Sequence, residues 1–177
     1  MKAVFFDRDG VVNKDFGYVY ESKEFVFMDN IFNLLKYCKE KGFLLLLITN
    51  QSGIGRGYYT LNDFKEVTKY MQNELKKKLG FGFDRIYFCP HSPEEDCLCR
   101  KPKTGMVDKA KKDYNLKLEE CFIIGDKPTD IETGQKSEIG HKIFLKNSNE
   151  GISNIKDVYT VFSINEVLET MIKIVGK

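Results

Sequence analysis

Short apolar runs alternate with amphipathic stripes along this chain, and the alternation predicts strands separated by helices. Residues 2–6 read as a buried strand. Over 30–41, Ile31, Leu34, Leu35 and Cys38 fall at i, i+3, i+4 and i+7, a helical stripe that stops at Gly42. The continuous apolar run 43–49 has the length of a buried strand. Thr60 then opens a long helix with Asp63 three residues on, and Phe64, Val67, Met71, Leu75 and Leu79 form its stripe. Further strands are expected over 85–89, 121–125 and 141–145, with helices over 105–114 and 128–137. A last strand over 159–162 precedes a helix that opens on Ser163-Ile164-Asn165-Glu166, a capping-box pattern. Strands separated by helices imply parallel pairing through right-handed crossovers. The expected class is α/β, a three-layer α/β/α Rossmann-like parallel sheet. No repeat, low-complexity stretch or linker interrupts the pattern, so residues 1–177 are expected to form one domain.

Composition narrows the partners. Lys plus Arg number 28 against 26 for Asp plus Glu, a net charge of +2, so no global field draws the chain to nucleic acid or a membrane. The longest uninterrupted apolar run, residues 43–48, is too short to span a bilayer, and the apolar stretch after Lys2 ends at Asp7, unlike a signal peptide. Of five cysteines, three cluster with a histidine, which suits metal binding in a reducing compartment better than disulfides. The expectation is a cytoplasmic monomer with a small-molecule substrate.

Chemistry gathers at two strand ends. Val4-Phe5-Phe6-Asp7-Arg8-Asp9-Gly10 places two carboxylates just past the first strand. Phe122-Ile123-Ile124-Gly125-Asp126-Lys127-Pro128-Thr129-Asp130 repeats the arrangement far downstream. In an open α/β sheet the crevice beyond the strand carboxyl ends is where ligands bind. Three or four carboxylates converging there repel one another unless a hard divalent cation sits among them, and carboxylates with a substrate phosphate are the usual Mg²⁺ arrangement.

A second constellation spans residues 89–99: Cys89, His91, Cys97 and Cys99. Three thiolates and one imidazole in eleven residues make a full tetrahedral set for structural Zn²⁺ with no position left open. Arg100 and Lys101 follow at once, so the metal would fix a loop whose end delivers two cations to the site.

Read in order, Asp7-Arg8-Asp9-Gly10-Val11, Leu47-Ile48-Thr49-Asn50, Arg100-Lys101-Pro102 and Gly125-Asp126-Lys127-Pro128-Thr129-Asp130 resemble the haloacid-dehalogenase-like phosphohydrolases over nearly the whole chain. The resemblance implies Asp7 as nucleophile, forming an aspartyl-phosphate, and Asp9 as general acid, then base. It implies Thr49 and Lys101 as a clamp on the transferring oxygens, and Mg²⁺ held by Asp7, Asp9 and Asp126. Chemistry alone is consistent with this, since a carboxylate attacks phosphorus only where its charge is offset. An acid two residues after the nucleophile goes with phosphatases in that superfamily.

The zinc loop ending in C-x-C-R-K-P resembles the subgroup that holds the D-glycero-D-manno-heptose-1,7-bisphosphate 7-phosphatases and the histidinol-phosphatases. The strings from Asn13 to Val19 and from Asn50 to Gly57 lean toward the heptose enzymes. The five residues between His91 and Cys97 make a short loop closer to the histidinol enzymes, so histidinol phosphate stays the alternative. Only 41 residues separate Asp7 from Thr49, and 51 separate Thr49 from Lys101, too few for an inserted cap domain. A capless site shaped by loops places recognition on Asp15, Phe16, Gly17 and Tyr18, on Asn50, Gln51 and Ser52, and on Arg100 and Lys127. Arg100 suits a second phosphate or a sugar oxygen. Tyr58 and Tyr59 read as packing residues beside the Thr60 cap. A nucleic-acid-end or phosphoprotein phosphatase, and a scaffold that has lost catalysis, are the rival readings.

Overall fold

The computed structural model describes residues 1–147, 151, 155 and 157–176. Six strands form one parallel sheet in the order β3-β2-β1-β4-β5-β6. They are β1 (Ala3–Phe6), β2 (Leu44–Asn50), β3 (Arg85–Cys89), β4 (Phe122–Gly125), β5 (His141–Leu145) and β6 (Val158–Val161). The principal helices are α1 (Ile31–Glu40), α2 (Ser52–Gly55), α3 (Leu61–Leu79), α4 (Gly105–Tyr114), α5 (Pro128–Lys136) and α6 (Ile164–Val175).

The central strands are buried on both faces, so alternate residues serve two cores. Val4, Phe6, Leu45, Leu47, Phe122 and Ile124 pack with the apolar stripes of α1, α3 and α6. Ala3, Phe5, Leu46, Ile48 and Ile123 face α4 instead, and α5 lies over Ile123 through Gly134. The result is the expected three-layer sandwich. Thr60 and Asp63 cap α3 reciprocally, and Ser163 caps α6 by accepting from the Glu166 N–H.

Besides one-residue differences at other element ends, two details differ from the sequence reading. The final strand runs one residue earlier and leaves out Phe162, which is exposed because the chain turns there into the α6 cap. The four-residue α2 goes unforeseen, since Ser52-Gly53-Ile54-Gly55 is too short and too glycine-rich to show a stripe.

The order of strands reverses between β1 and β4, the switch point at which such sheets open a crevice. The Asp7 N–H donates to the Ile124 carbonyl at 3.0 Å, so the pairing carries past the end of β1 and fixes Asp7 beside Asp126. Among the described residues, a flap based at Asn13 and Phe27 and then α1 fill the interval from β1 to β2, and α2 and α3 the interval from β2 to β3. No helix among the described residues is long and apolar enough to cross a membrane.

Candidate active site and metal centre

Three carboxylates and one ammonium meet at the switch point. Lys101 Nζ lies 2.8 Å from Asp7 Oδ1 and 2.6 Å from Asp130 Oδ1, and it donates to the Ile48 carbonyl at 3.0 Å. All four charged groups, Asp126 included, are buried. Burial raises the Asp7 carboxyl, with Lys101 opposing and Asp130 adding to the rise. Asp126 is pushed up to about 8, by burial first and then by the charges of Asp7 and Asp130. For Lys101 burial works against the charge, but Asp130 and Asp7 outweigh it and hold the ammonium above its ordinary range.

One ammonium does not balance three carboxylates. Oxygens of Asp7, Asp126 and Asp130 lie within 4.8 Å of one another, and Oδ1 of Asp126 is buried without a hydrogen-bond partner among the described residues. A buried carboxylate oxygen left in that state is costly unless something cationic meets it. The donor set is all oxygen and carboxylate-rich, which fits Mg²⁺.

The Asp9 carboxylate, expected among the magnesium ligands, lies outside this trio. Arg8, itself buried, donates to it from Nε at 3.1 Å and Nη2 at 2.9 Å, and Asn13 Nδ2 and Gln51 Nε2 donate at 3.0 and 3.2 Å. Asp130 takes the third place in the cluster. Asp9 still lines, with Asp7, Thr49 and Lys101, a pit of about 40 Å³. On that measure the pit has room for roughly three water-sized groups.

Above the pit opens a polar cavity of about 510 Å³ lined by Asp15, Gly17, Tyr18, Asn50, Gln51, Ser52, Arg100 and Lys127. Phe16, expected with them, is not part of the lining and is 63% exposed. The Asp15 carboxylate turns inward instead, accepting from the Gly17 N–H at 2.9 Å and pairing with Lys127 at 3.3 Å. Lys127 stays charged well above the ordinary range because Asp7, Asp126 and Asp15 together outweigh its burial. Asn50 has its amide committed elsewhere: Oδ1 accepts from the Lys101 N–H at 3.0 Å and Nδ2 donates to the Lys101 carbonyl at 3.2 Å. It therefore ties the end of β2 to the residue that carries the central ammonium.

Three lining residues were not expected. Pro128 and Thr129 lie at the start of α5, and Tyr59 sits at the back of the cavity with its phenol on Gln51. Their proximity to Asp126 hinted at the first two. Nothing in the linear pattern separates Tyr59 from an ordinary packing tyrosine.

The cysteine loop folds onto itself as expected. Cys89 Sγ lies 3.5 Å from both His91 Nδ1 and Cys97 Sγ, while Cys99 Sγ is 3.3 Å from His91 Nδ1 and 3.6 Å from Cys97 Sγ. Ligand atoms around a four-coordinate zinc stand about 3.3–3.8 Å apart, given bonds of roughly 2.0–2.3 Å. All five cysteines are free, so no disulfide competes for these thiols. The entry of the loop is held where the Gln51 and Gly55 N–H groups donate to the Cys89 and Pro90 carbonyls at 2.7 and 2.8 Å. Asn50 holds its exit.

The chain is similar to known proteins over most of its length. The family model described as "Polynucleotide kinase 3 phosphatase" matches residues 2–158. A D-glycero-beta-D-manno-heptose-1,7-bisphosphate 7-phosphatase of Helicobacter pylori is 51% identical over 144 residues, 81% of this chain and 83% of the relative. A D-glycero-alpha-D-manno-heptose-1,7-bisphosphate 7-phosphatase of Campylobacter jejuni is 41% identical over 172 residues, 94% of this chain and 98% of its own. The crystal structure of a D,D-heptose 1,7-bisphosphate phosphatase from B. bronchiseptica, complexed with magnesium and phosphate, superposes with a TM-score of 0.87 at 25% identity, covering 98% of this chain and 99% of that one. With a site of this chemistry on a fold of this topology, the chain belongs to the heptose-1,7-bisphosphate 7-phosphatase family of haloacid-dehalogenase-like phosphatases.

Proposed function

We propose that the protein removes the C7 phosphate of D-glycero-D-manno-heptose 1,7-bisphosphate through an aspartyl-phosphate on Asp7. The observation that carries this is the buried cluster of Asp7, Lys101, Asp126 and Asp130 at the switch point, opening into an uncapped polar cavity. In the first step an Asp7 oxygen attacks phosphorus, the bond from phosphorus to the sugar oxygen breaks, and Asp9 gives that oxygen a proton. In the second, Asp9 takes a proton from a water whose oxygen attacks the same phosphorus. The bond to Asp7 then breaks and inorganic phosphate leaves. Thr49 and Lys101 hold the equatorial oxygens in both steps. Asp7 and Asp126, with Asp130 beside them, would hold Mg²⁺, which would supply the positive charge that lets two anions approach. Arg100 and Lys127 hold the second phosphate or the sugar oxygens, and the free thiols accord with a reducing cytoplasm.

The matched family model, named for a polynucleotide 3 phosphatase, favours a second reading in which the open mouth admits a nucleic-acid end. A net charge of +2 argues against it. Parallel steady-state kinetics on heptose bisphosphate, histidinol phosphate and a 3′-phosphorylated oligonucleotide decide among these. The heptose ester should give the highest kcat/KM, and a higher value for either competitor would overturn the assignment.

Three further outcomes follow from the geometry. Gly10 has φ +87°, and a Cβ there would stand 2.1 Å from Asp126 Oδ2. Gly10→Ala should strain the turn by about 1–2 kcal/mol and push Asp126 out of place, lowering turnover by about 10²-fold with weaker Mg²⁺ activation. A Mg²⁺ titration of activity would register the change.

The raised carboxyl of Asp126 gives stability a pH dependence. Its folded pKa lies above the unfolded value of 3.8, so its contribution is fully present below about pH 4 and is lost as the pH rises through about 8. Stabilisation by added Mg²⁺, read as a shift in Tm, should therefore be larger at about pH 8.5 than at about pH 5. Equal shifts would contradict the carboxylate trio as the metal site.

We further infer structural zinc at Cys89, His91, Cys97 and Cys99. Elemental analysis should return about one zinc per chain. Cys99→Ser should lose the metal and, by loosening Arg100 and Lys101, about 10²-fold in turnover with the sheet intact by circular dichroism.

A further inference from the structure

We propose that Tyr59 is a positioning residue of the reaction: its phenolic O–H fixes the side-chain amide of Gln51, which sets the Thr49 hydroxyl and the Asp9 carboxylate. The proposal rests on the phosphatase reading above, because it concerns the same site. Gln51 and Tyr59 are both buried, 2% and 6% exposed. The Tyr59 hydroxyl donates to Gln51 Oε1 at 2.6 Å, and Gln51 Nε2 donates to Thr49 Oγ1 at 2.8 Å and to Asp9 Oδ2 at 3.2 Å.

The direction of this chain is forced from its inner end. In the resting site the Asp9 carboxylate is ion-paired with the Arg8 guanidinium and accepts on the oxygen that faces Gln51, so an amide oxygen turned toward it would be repelled. The amide NH₂ must then face Asp9 and Thr49, which leaves the amide oxygen facing Tyr59. Tyr59 has to donate. Burial raises its phenol to about 12, so the proton stays in place across the working pH range. Because Thr49 Oγ1 already accepts from Gln51, its own proton is left to point at another acceptor. Thr49 lines the pit with Asp7 and Lys101, where the phosphoryl oxygens belong. The donors thus run in one sense, from phenol to amide to hydroxyl to phosphoryl oxygen.

The ring is placed with care. It stacks on Tyr20 at 5.2 Å and an interplanar angle of 9°, and a Cβ on residue 53 would come within 2.0 Å of its Cε1, so Gly53 is what leaves room for it. Without the phenol the amide oxygen is buried with no donor, and the amide loses the bond that holds it firmly against Thr49 and Asp9.

The test is Tyr59→Phe in two backgrounds, wild type and Gln51→Ala, assayed on p-nitrophenyl phosphate. In the wild-type background kcat should fall roughly tenfold, the worth of one buried hydrogen bond, with KM within about twofold. In the Gln51→Ala background the same change should alter kcat by less than about twofold, since nothing remains to be oriented. A packing role would lower kcat equally in both. A second reading needs no turnover: the Gln51 side-chain amide protons, followed by NMR, should exchange slowly in wild type and quickly in Tyr59→Phe. Undiminished kcat in Tyr59→Phe, equal losses in both backgrounds, or unchanged amide exchange would overturn the proposal. Wild-type protein without phosphatase activity would sink the phosphatase reading instead, and the exchange measurement would still decide the role of Tyr59.

Discussion

Asp7→Asn should abolish turnover, by at least about 10⁴-fold, while the protein folds as before. The substitution keeps the shape of the side chain and removes the anionic oxygen proposed as the nucleophile. Its structural consequence is opposite in sign to its chemical one. Asp7 is buried, its carboxyl is already raised by that burial, and Lys101 keeps Asp130 as a partner at 2.6 Å when the charge is removed. The metal-free variant should therefore melt at or above the wild-type temperature. Calorimetry and steady-state kinetics on one preparation separate the two effects: lost activity with retained stability marks a chemical residue. Activity within tenfold of wild type would remove Asp7 from the mechanism.

Lys101→Met should fail in both respects. Among the described residues the ammonium is the single cation in contact with both Asp7 and Asp130, and all three groups are nearly sealed from solvent. Taking away one partner of a buried charge cluster leaves the others uncompensated, at a cost of about 3–5 kcal/mol. Loss of a donor to the transferring oxygens costs about 10²–10³-fold in turnover. Adding Asp130→Asn should recover part of the stability, because one orphaned carboxylate is neutralised, and none of the activity. Denaturant melts of the single and double variants read the first effect and kcat the second. A double variant as unstable as Lys101→Met would show that Asp130 is not what Lys101 balances.

The sheet was legible in the sequence because its strands are buried on both faces and therefore spell themselves as short apolar runs. β3, α4 and β5 fall where the pattern put them. The strand-end motifs located Asp7 and Asp126 beside each other for the same reason, since β1 and β4 are neighbours at the switch point. Side-chain direction was less legible. Asp9 follows Asp7 by two residues, yet its carboxylate turns to Arg8, Asn13 and Gln51 and away from the carboxylate trio. That rotamer is set by partners up to 42 positions away. Asn50 looked like a substrate ligand, but its amide is spent on the backbone of Lys101, 51 positions on. Asp130 ends the Gly125–Asp130 segment, and nothing in the linear pattern shows that the fold sets Lys101 against it. The cysteine loop is the contrary case. Cys89, His91, Cys97 and Cys99 lie within eleven residues, so spacing alone carries the cluster that the folded loop adopts.

The central claim is covalent phosphoryl transfer at Asp7, and it can be seen directly. Enzyme mixed with heptose bisphosphate and Mg²⁺, quenched in acid within milliseconds and digested, should yield the peptide containing Asp7 with the added mass of one phosphoryl group. Tandem fragmentation should place that group on Asp7. A peptide that stays unmodified while phosphate is released, or a phosphoryl group carried by any other residue, would contradict the account.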